Sequence, residues 1–403
     1  MELLLAFALT LLAAVLISDL ADRTVLSTAV LFLVVGFLLG NSVFGIVPER
    51  PTDPLVETLA ELALFAVLFT DGMRVGIRDL SSAWRLPGRA LFFGLPLTMG
   101  LTALIAHTLT SLSWAECLLL GAVLSPTDPV FAAAIVGREE VPYRLRHLLN
   151  VESGLNDGLA LPVVLIMINV VGDDPNAVGS ILLKLVAGIA LGVVIPYVFI
   201  KLEETRFFSA SKRFLPLHAF ALGLVIFAVT LLTGANEFLA AFAGGMTVAT
   251  ISPTVKRDFQ EFGELVAELL KLASIMVFGA LISTEALVTE TGWVAWAFAG
   301  LVIFAARPLS IWLSLLGGRL NRREWAAASW FGPKGFASLI YALLVFHAGS
   351  ANASFMFHLS ALAIGLSILL HSSTDVVVAR WLATHQDLES DKTEGGRALS
   401  PVD

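Results

Sequence analysis

The sequence predicts an all-α polytopic membrane protein of about thirteen transmembrane helices, because apolar stretches recur at the roughly 20-residue length that crosses a hydrocarbon core. Two further observations point the same way. Hydrophobic residues make up 57% of the 403 and charged residues only 14%, whereas a soluble surface requires roughly 25% charged residues; mean hydropathy is +0.86. Basic residues also alternate between successive connections. Backbone groups in lipid must be satisfied within their own segment, so the stretches are read as helices. The net charge of −8 is spread without a basic stripe, which gives no surface for nucleic acid. A single cysteine, Cys117, excludes a disulfide framework, an iron–sulfur cluster and a Cys-type zinc site.

The first stretch, 3–18, follows Met1-Glu2 without a basic n-region, so it reads as a retained helix and not as a cleaved signal. The next two, 25–46 and 54–72, are apolar except for Glu57, Glu61 and Asp71 on the third. A mainly apolar run with Arg89 at its start and His107 near its outer end defines 88–111; the fifth stretch, 114–137, is interrupted by Ser125-Pro126-Thr127-Asp128-Pro129. The sixth, 145–171, carries Asn150 to Gly158, the most polar run inside any span. Then come 178–201, 214–233, 236–252 and 260–288, followed by 291–317 with Arg307 at its middle. The twelfth, 324–349, is interrupted by Gly332-Pro333-Lys334-Gly335, and 355–384 closes the membrane part. Residues 385–403 are polar and charged and read as a short disordered tail.

Charge placement tests the segmentation. The odd connections carry seventeen Lys and Arg residues, and the even ones carry only Arg50. Missing one helix would scramble that alternation. By the positive-inside rule the odd connections and the C-terminus are cytoplasmic and the N-terminus is outside. Thirteen divides as six, one, six, with the two interrupted stretches seven spans apart and therefore oppositely oriented. This position match predicts two inverted six-helix repeats joined by a linker helix.

Four basic residues fall inside spans: Lys184, Lys271, Arg307 and Lys334. Lys184 is near an outer end and snorkels. Lys271 follows Glu264 and Glu268 at helical spacing and reads as a local ion pair. Arg307 and Lys334 lie deeper, where a charge costs at least about 2.5 kcal/mol and a functional role is the default reading. A charge that only ties helices together explains Arg307 equally well.

The acids supply the chemistry. Pro126 and Pro129 each remove a backbone donor, so the fifth helix cannot run through and its freed carbonyls become oxygen ligands. Asp128 can cap the half-helix that starts there, and a kink with a capping acid and no ion explains Asp128 alone about as well. On the sixth helix Glu152 and Asn156 share one face, and Ser153 and Asp157 share another. Small alkali cations are hard and take several oxygens, which a carboxylate, a hydroxyl and freed carbonyls provide. A low-dielectric setting favours the neutral form of a carboxylate, so protons and cations compete for one site. A site that reorients only when protonated or cation-loaded performs exchange.

At these residues the chain resembles the NhaP/NHE branch of the monovalent cation:proton antiporters, the sodium/proton exchangers. The resemblance rests on Thr127-Asp128-Pro129, Glu152-Ser153-Gly154-Leu155-Asn156-Asp157, Arg307-Pro308-Leu309-Ser310 and Gly332-Pro333-Lys334-Gly335, in family order, with Leu68 to Met73 also similar. It implies that Asp157 is the ion- and proton-binding carboxylate with Asn156 beside it, that Ser153 and Thr127 complete the cation shell, and that Asp128 sits where two broken helices cross. It implies a Glu152–Arg307 bridge, with Lys334 balancing charge and Asp71 accessory. Relatives commonly have arginine where Lys334 stands; lysine is a point charge whose ionisation is less secure, which bears on electroneutrality.

The resemblance further implies a homodimer in the cell membrane, working by an elevator-like movement of core helices about 88–171 and 291–384 against dimerisation helices about 1–72 and 178–252. The expected cargo is Na⁺, with K⁺ and Li⁺ as alternatives, exchanged for H⁺ without any cofactor. Two other classes compete. A cation channel or uniporter needs a continuous pore or carbonyl filter, and no filter-like motif is present. An intramembrane aspartyl protease built on Asp128 and Asp157 lacks its Gly-x-Gly-Asp context. No zinc-protease, nucleotide-binding or serine-nucleophile motif occurs, so the protein is not expected to be an enzyme.

Overall fold

A computed structural model describes residues 2–18, 27–47, 53–74, 86–128, 141–172, 177–203, 205, 214–318 and 320–395. Among them every regular element is helical. The first three helices are α1 (Glu2–Leu16), α2 (Thr28–Leu39) and α3 (Pro54–Arg74). α4 (Pro87–Leu109) contains a wide, π-type turn at Ala90–Gly94, and α5 (Trp114–Val123) is followed by α6 (Tyr143–Val171). Then come α7 (Ala177–Glu203), α8 (Leu215–Thr233), α9 (Glu237–Ile251) and α10 (Pro253–Leu281). α11 (Thr284–Ser314) has wide turns at Leu287–Thr291 and Val302–Ala306. α12 (Arg322–Trp330), α13 (Phe336–His347) and α14 (Ala353–Gly395) complete the chain.

Five helices are long and apolar enough to cross a membrane by length and composition: α4, α6, α7, α11 and the Ala353–Leu382 part of α14. The other apolar helices are shorter, and α3 and α10 carry several charges. Each predicted stretch contains helix among the described residues, and the ends differ for local reasons. α10 begins at Pro253, earlier than hydropathy indicates, because Ser252 caps the Val255 amide at 3.4 Å and Pro253 fits a first-turn position. Its polar first turns hide that start from a hydropathy reading. α2 stops at Leu39, where Gly40 and the left-handed Gly45 (φ 62°) turn the chain. α14 runs on to Gly395, whereas the sequence predicts an irregular tail from 385; Ala383 to Lys392 contains no Gly or Pro to stop it. The second half of the fifth predicted span, with Pro129, lies outside the described residues, as do 396–403 and most of the basic connections.

The helices pack in two groups. α2, α3, α7, α8, α9 and α10 form one, and α4, α5, α6, α11, α12, α13 and α14 the other. α10, which the sequence reading leaves in neither domain, packs on α2, α3 and α8. The first group approaches backbone to backbone through small residues, a device of helices in lipid. An added Cβ at Gly36 or Gly40 of α2 would overlap the α10 backbone at Met276 and Ala280, and one at Gly188 or Gly192 of α7 would overlap α9 at Asn236 and Ala240. The groups meet in a shared hydrophobic core, for example where Phe278 of α10 packs edge-on against Phe357 of α14 (ring centroids 5.9 Å apart), and at a smaller contact where Phe242 of α9 packs on Leu91, Val151 and Leu155. There an added Cβ on Gly158 would stand 2.8 Å from Phe242 Cδ1.

Candidate functional site

The site forms where two chain breaks meet. α5 ends at Val123, and Ser125 turns its hydroxyl back onto the Ala122 carbonyl (3.0 Å). Pro126 then carries the chain out of helical form into Thr127 and Asp128. On the other side α12 stops at Trp330 and α13 starts at Phe336, leaving Phe331 to Gly335 unwound around Pro333. The Asp128 amide donates to the Pro333 carbonyl at 3.0 Å. In return Asp128 Oδ2 accepts the Phe336 amide at 3.4 Å and caps α13. Gly335 allows this approach, since an added Cβ would overlap the Asp128 side chain.

α6 passes beside the junction with Val151 to Gly158 of its polar run buried, while Asn150 is exposed. Asn156 Nδ2 donates to Thr127 Oγ1 at 2.7 Å, and Ser153 Oγ stands 3.3 Å from the same hydroxyl. The two α6 faces thus converge on one threonine. Asp157 is only 4% exposed, and among the described residues its Oδ1 has no hydrogen-bond partner; the same holds for Asn156 Oδ1. The Asp157 main-chain carbonyl accepts the Tyr341 hydroxyl of α13 at 2.7 Å. Charges within electrostatic reach of the Asp157 carboxylate belong to Asp71, Asp128 and Lys271. Oxygens of Asp157, Asn156, Ser153 and Thr127 therefore gather in one buried place with carboxylate capacity left over, a donor set suited to a hard monovalent cation or a proton.

The flanking charges divide their work. Glu152 and Arg307 form a buried ion pair at 2.6 Å. The wide turn at Val302–Ala306 stands directly before Arg307-Pro308, and Pro308 has no N–H to return to the Phe304 carbonyl. Lys334 is 1% exposed; its amide donates to Ser367 Oγ at 2.9 Å, while Nζ has no hydrogen-bond partner among the described residues and feels the charges of Arg307 and Glu152. Asp71 is buried on α3 and pairs with Arg74 at 3.1 Å, and Arg74 reaches on to Glu264 at 3.3 Å. Lys271 pairs with Glu268 at 2.5 Å, the local ion pair its spacing predicts.

Two groups near the site escaped sequence reasoning. Tyr341 is one of only three tyrosines in the chain and sits in an apolar helix directly after a break, which is the one signal that marks it. Lys271 reads as a local pair, yet its charge also reaches Asp128 and Asp157 from the other helix group.

Comparison with known proteins follows the same lines. The chain is 27% identical over 379 residues to the K(+)/H(+) antiporter NhaP of Alkalimonas amylolytica, covering 92% of this chain and 64% of that protein. It is 26% identical over 381 residues to the K(+)/H(+) antiporter NhaP2 of Shewanella sp. strain MR-4, with 91% and 64% covered. The chain thus spans a little under two thirds of the length of these relatives. Its fold matches the sodium proton antiporter MjNhaP1 from Methanocaldococcus jannaschii, solved at pH 8, with a TM-score of 0.73 at 18% identity over 95% of this chain and 100% of that one. The model of the transmembrane sodium/hydrogen exchanger family matches residues 7–381, and the protein belongs to that family.

Proposed function

We propose that the protein is a secondary antiporter that exchanges a monovalent alkali cation, Na⁺ or K⁺, for H⁺ across the cell membrane. The observation that carries this reading is the buried Asp157 carboxylate, with Oδ1 unpartnered among the described residues, beside the Thr127–Ser153–Asn156 cluster and the junction of two chain breaks. A lone carboxylate in a low-dielectric site is stabilised either by a proton or by a cation, so the two compete. Loading with one releases the other, and the transported charge is accounted for without a cofactor. Asp128 holds the half-helices together, Glu152 and Arg307 neutralise each other, and Asp71 stands on the opposite helix group as an accessory carboxylate. The relatives named as K(+)/H(+) antiporters and the fold of a sodium proton antiporter support the class.

The remaining architecture belongs to the same reading. Thirteen crossings, an inverted repeat and cytoplasmic odd connections follow from the charge alternation and the two breaks. α4–α6 with α11–α14 form a mobile core that moves as an elevator against a scaffold of the other helices, and the scaffold forms a homodimer. The denser packing inside each of the two helix groups supports that division.

Proteoliposomes loaded with a pH-sensitive dye test it. With a proton gradient imposed, Na⁺, K⁺ or Li⁺ should dequench the dye in wild type and not in Asp157→Asn. Wild type that responds to no cation, or leaks protons without one, would overturn the antiporter reading in favour of the protease or channel classes.

A further inference from the structure

In an unbroken helix the amide of residue 334 would donate to the carbonyl of residue 330. Here that bond is missing, and α14 takes both of its ends. The Lys334 amide donates to Ser367 Oγ at 2.9 Å. The Trp330 carbonyl lies 3.0 Å from His371 Nε2. Ser367 and His371 are four residues apart, one turn of α14, and are 0% and 2% exposed. His371 Nδ1 lies 2.8 Å from the Ser367 carbonyl and 3.2 Å from its hydroxyl. Each ring nitrogen has a carbonyl within hydrogen-bond reach: protonated on Nε2 the ring donates to Trp330, and protonated on Nδ1 it donates to the Ser367 carbonyl, so the Nε2–H tautomer is the one that takes up Trp330. Trp330 is further fixed by its indole N–H on Thr374 Oγ1 (3.0 Å) and by stacking on the His371 ring at 5.0 Å.

We propose that Ser367 and His371 are positioning residues that hold the second chain break open by occupying the two partners of the hydrogen bond that would close it. The segment they hold supplies the Pro333 carbonyl and the Phe336 amide to Asp128, and so sets where the first break stands beside Asp157. Neither residue touches the cation; each acts through the backbone between Trp330 and Phe336. Buried backbone groups are satisfied almost without exception, so without this pair the Lys334 amide and the Trp330 carbonyl lose the partners that fix the segment, and its amides open more readily. The inference rests on the exchange reading above for its transport consequence, while its structural content stands separately.

The test uses His371→Leu, Ser367→Ala and His371→Gln in the full-length protein, with cation-dependent proton flux and hydrogen–deuterium exchange of residues 331–338 measured together. Leu and Ala should each raise the apparent cation KM about tenfold, the worth of one buried hydrogen bond, with Vmax per folded transporter kept. Both should speed amide exchange in the break. Gln places an amide N–H at the reach of Nε2 and should restore the wild-type KM and protection. Unchanged KM and protection in both Leu and Ala, or Gln as impaired as Leu, would overturn the proposal. A wild type without cation-dependent flux defeats the transport reading alone, because amide exchange still reports whether the pair holds the break.

Discussion

Asp157 presents different oxygens to different partners. Its carbonyl takes the Tyr341 hydroxyl, which fixes α6 against α13, while Oδ1 of the carboxylate is left without a partner among the described residues. Tyr341→Phe removes only the anchor: about 1 kcal/mol of stability should be lost, the net worth of one hydrogen bond. Thermal melting in detergent measures that loss, and a raised cation KM with Vmax kept should accompany it. Glu152 and Arg307 obey a harsher rule, because a buried charge that loses its partner stays desolvated. Arg307→Met alone should destabilise the protein by about 3–5 kcal/mol, and adding Glu152→Leu should recover most of it. If melting shows the single and double variants equally unstable, the pair is not what holds α6 to α11. Such pairings were legible in the sequence because an acid and a base deep in apolar helices have few alternatives. Tyr341 was not, since its partner is a main-chain carbonyl 184 residues away and carries no residue-type signal.

At the scale of the elements, proline and glycine mark where helices stop and where they touch. Pro126 and Pro333 disclosed both breaks, because a missing N–H is a property of the residue itself. The wide turns at Ala90–Gly94 and Val302–Ala306 were not disclosed, although each stands just before a proline, since a bulge, a kink and an end are alternative answers to the same missing donor. The polar start of α10 and the extension of α14 were likewise invisible to a reading based on apolar length. Glycine gives a sharper contrast. Gly335 faces Asp128 with no room for a methyl, whereas an added Cβ at Gly365 of α14 would meet nothing within 4 Å. Gly335→Ala should therefore abolish cation-dependent exchange in proteoliposomes. Gly365→Ala should leave exchange intact and raise stability by about 1 kcal/mol through helix propensity.

For the whole molecule the decisive contact is the seam between the two helix groups. Within the first helix group, helices meet backbone to backbone at Gly36, Gly40, Gly188 and Gly192, contacts that cannot slide without a clash. Across the seam Phe242 rests on the smooth surface of Leu91, Val151 and Leu155, beside Gly158 and one residue from Asp157. Interdigitated backbones resist translation, whereas the contacts across the boundary, such as Phe242 on these aliphatic side chains and Phe278 on Phe357, are between side chains. The proposed elevator movement requires rigidity inside each group and freedom between them, so it is at this boundary that the proposal is tested. The chain's one cysteine, Cys117, is buried, so paired cysteines can be introduced cleanly in a Cys117→Ala background. Linking Phe242→Cys to Leu155→Cys with a short reducible cross-linker should stop exchange and release it on reduction. Linking Leu33→Cys to Met276→Cys, both inside the scaffold, should leave exchange running. Exchange that continues through the seam cross-link would show that the carboxylate reaches both sides without relative movement of the two groups.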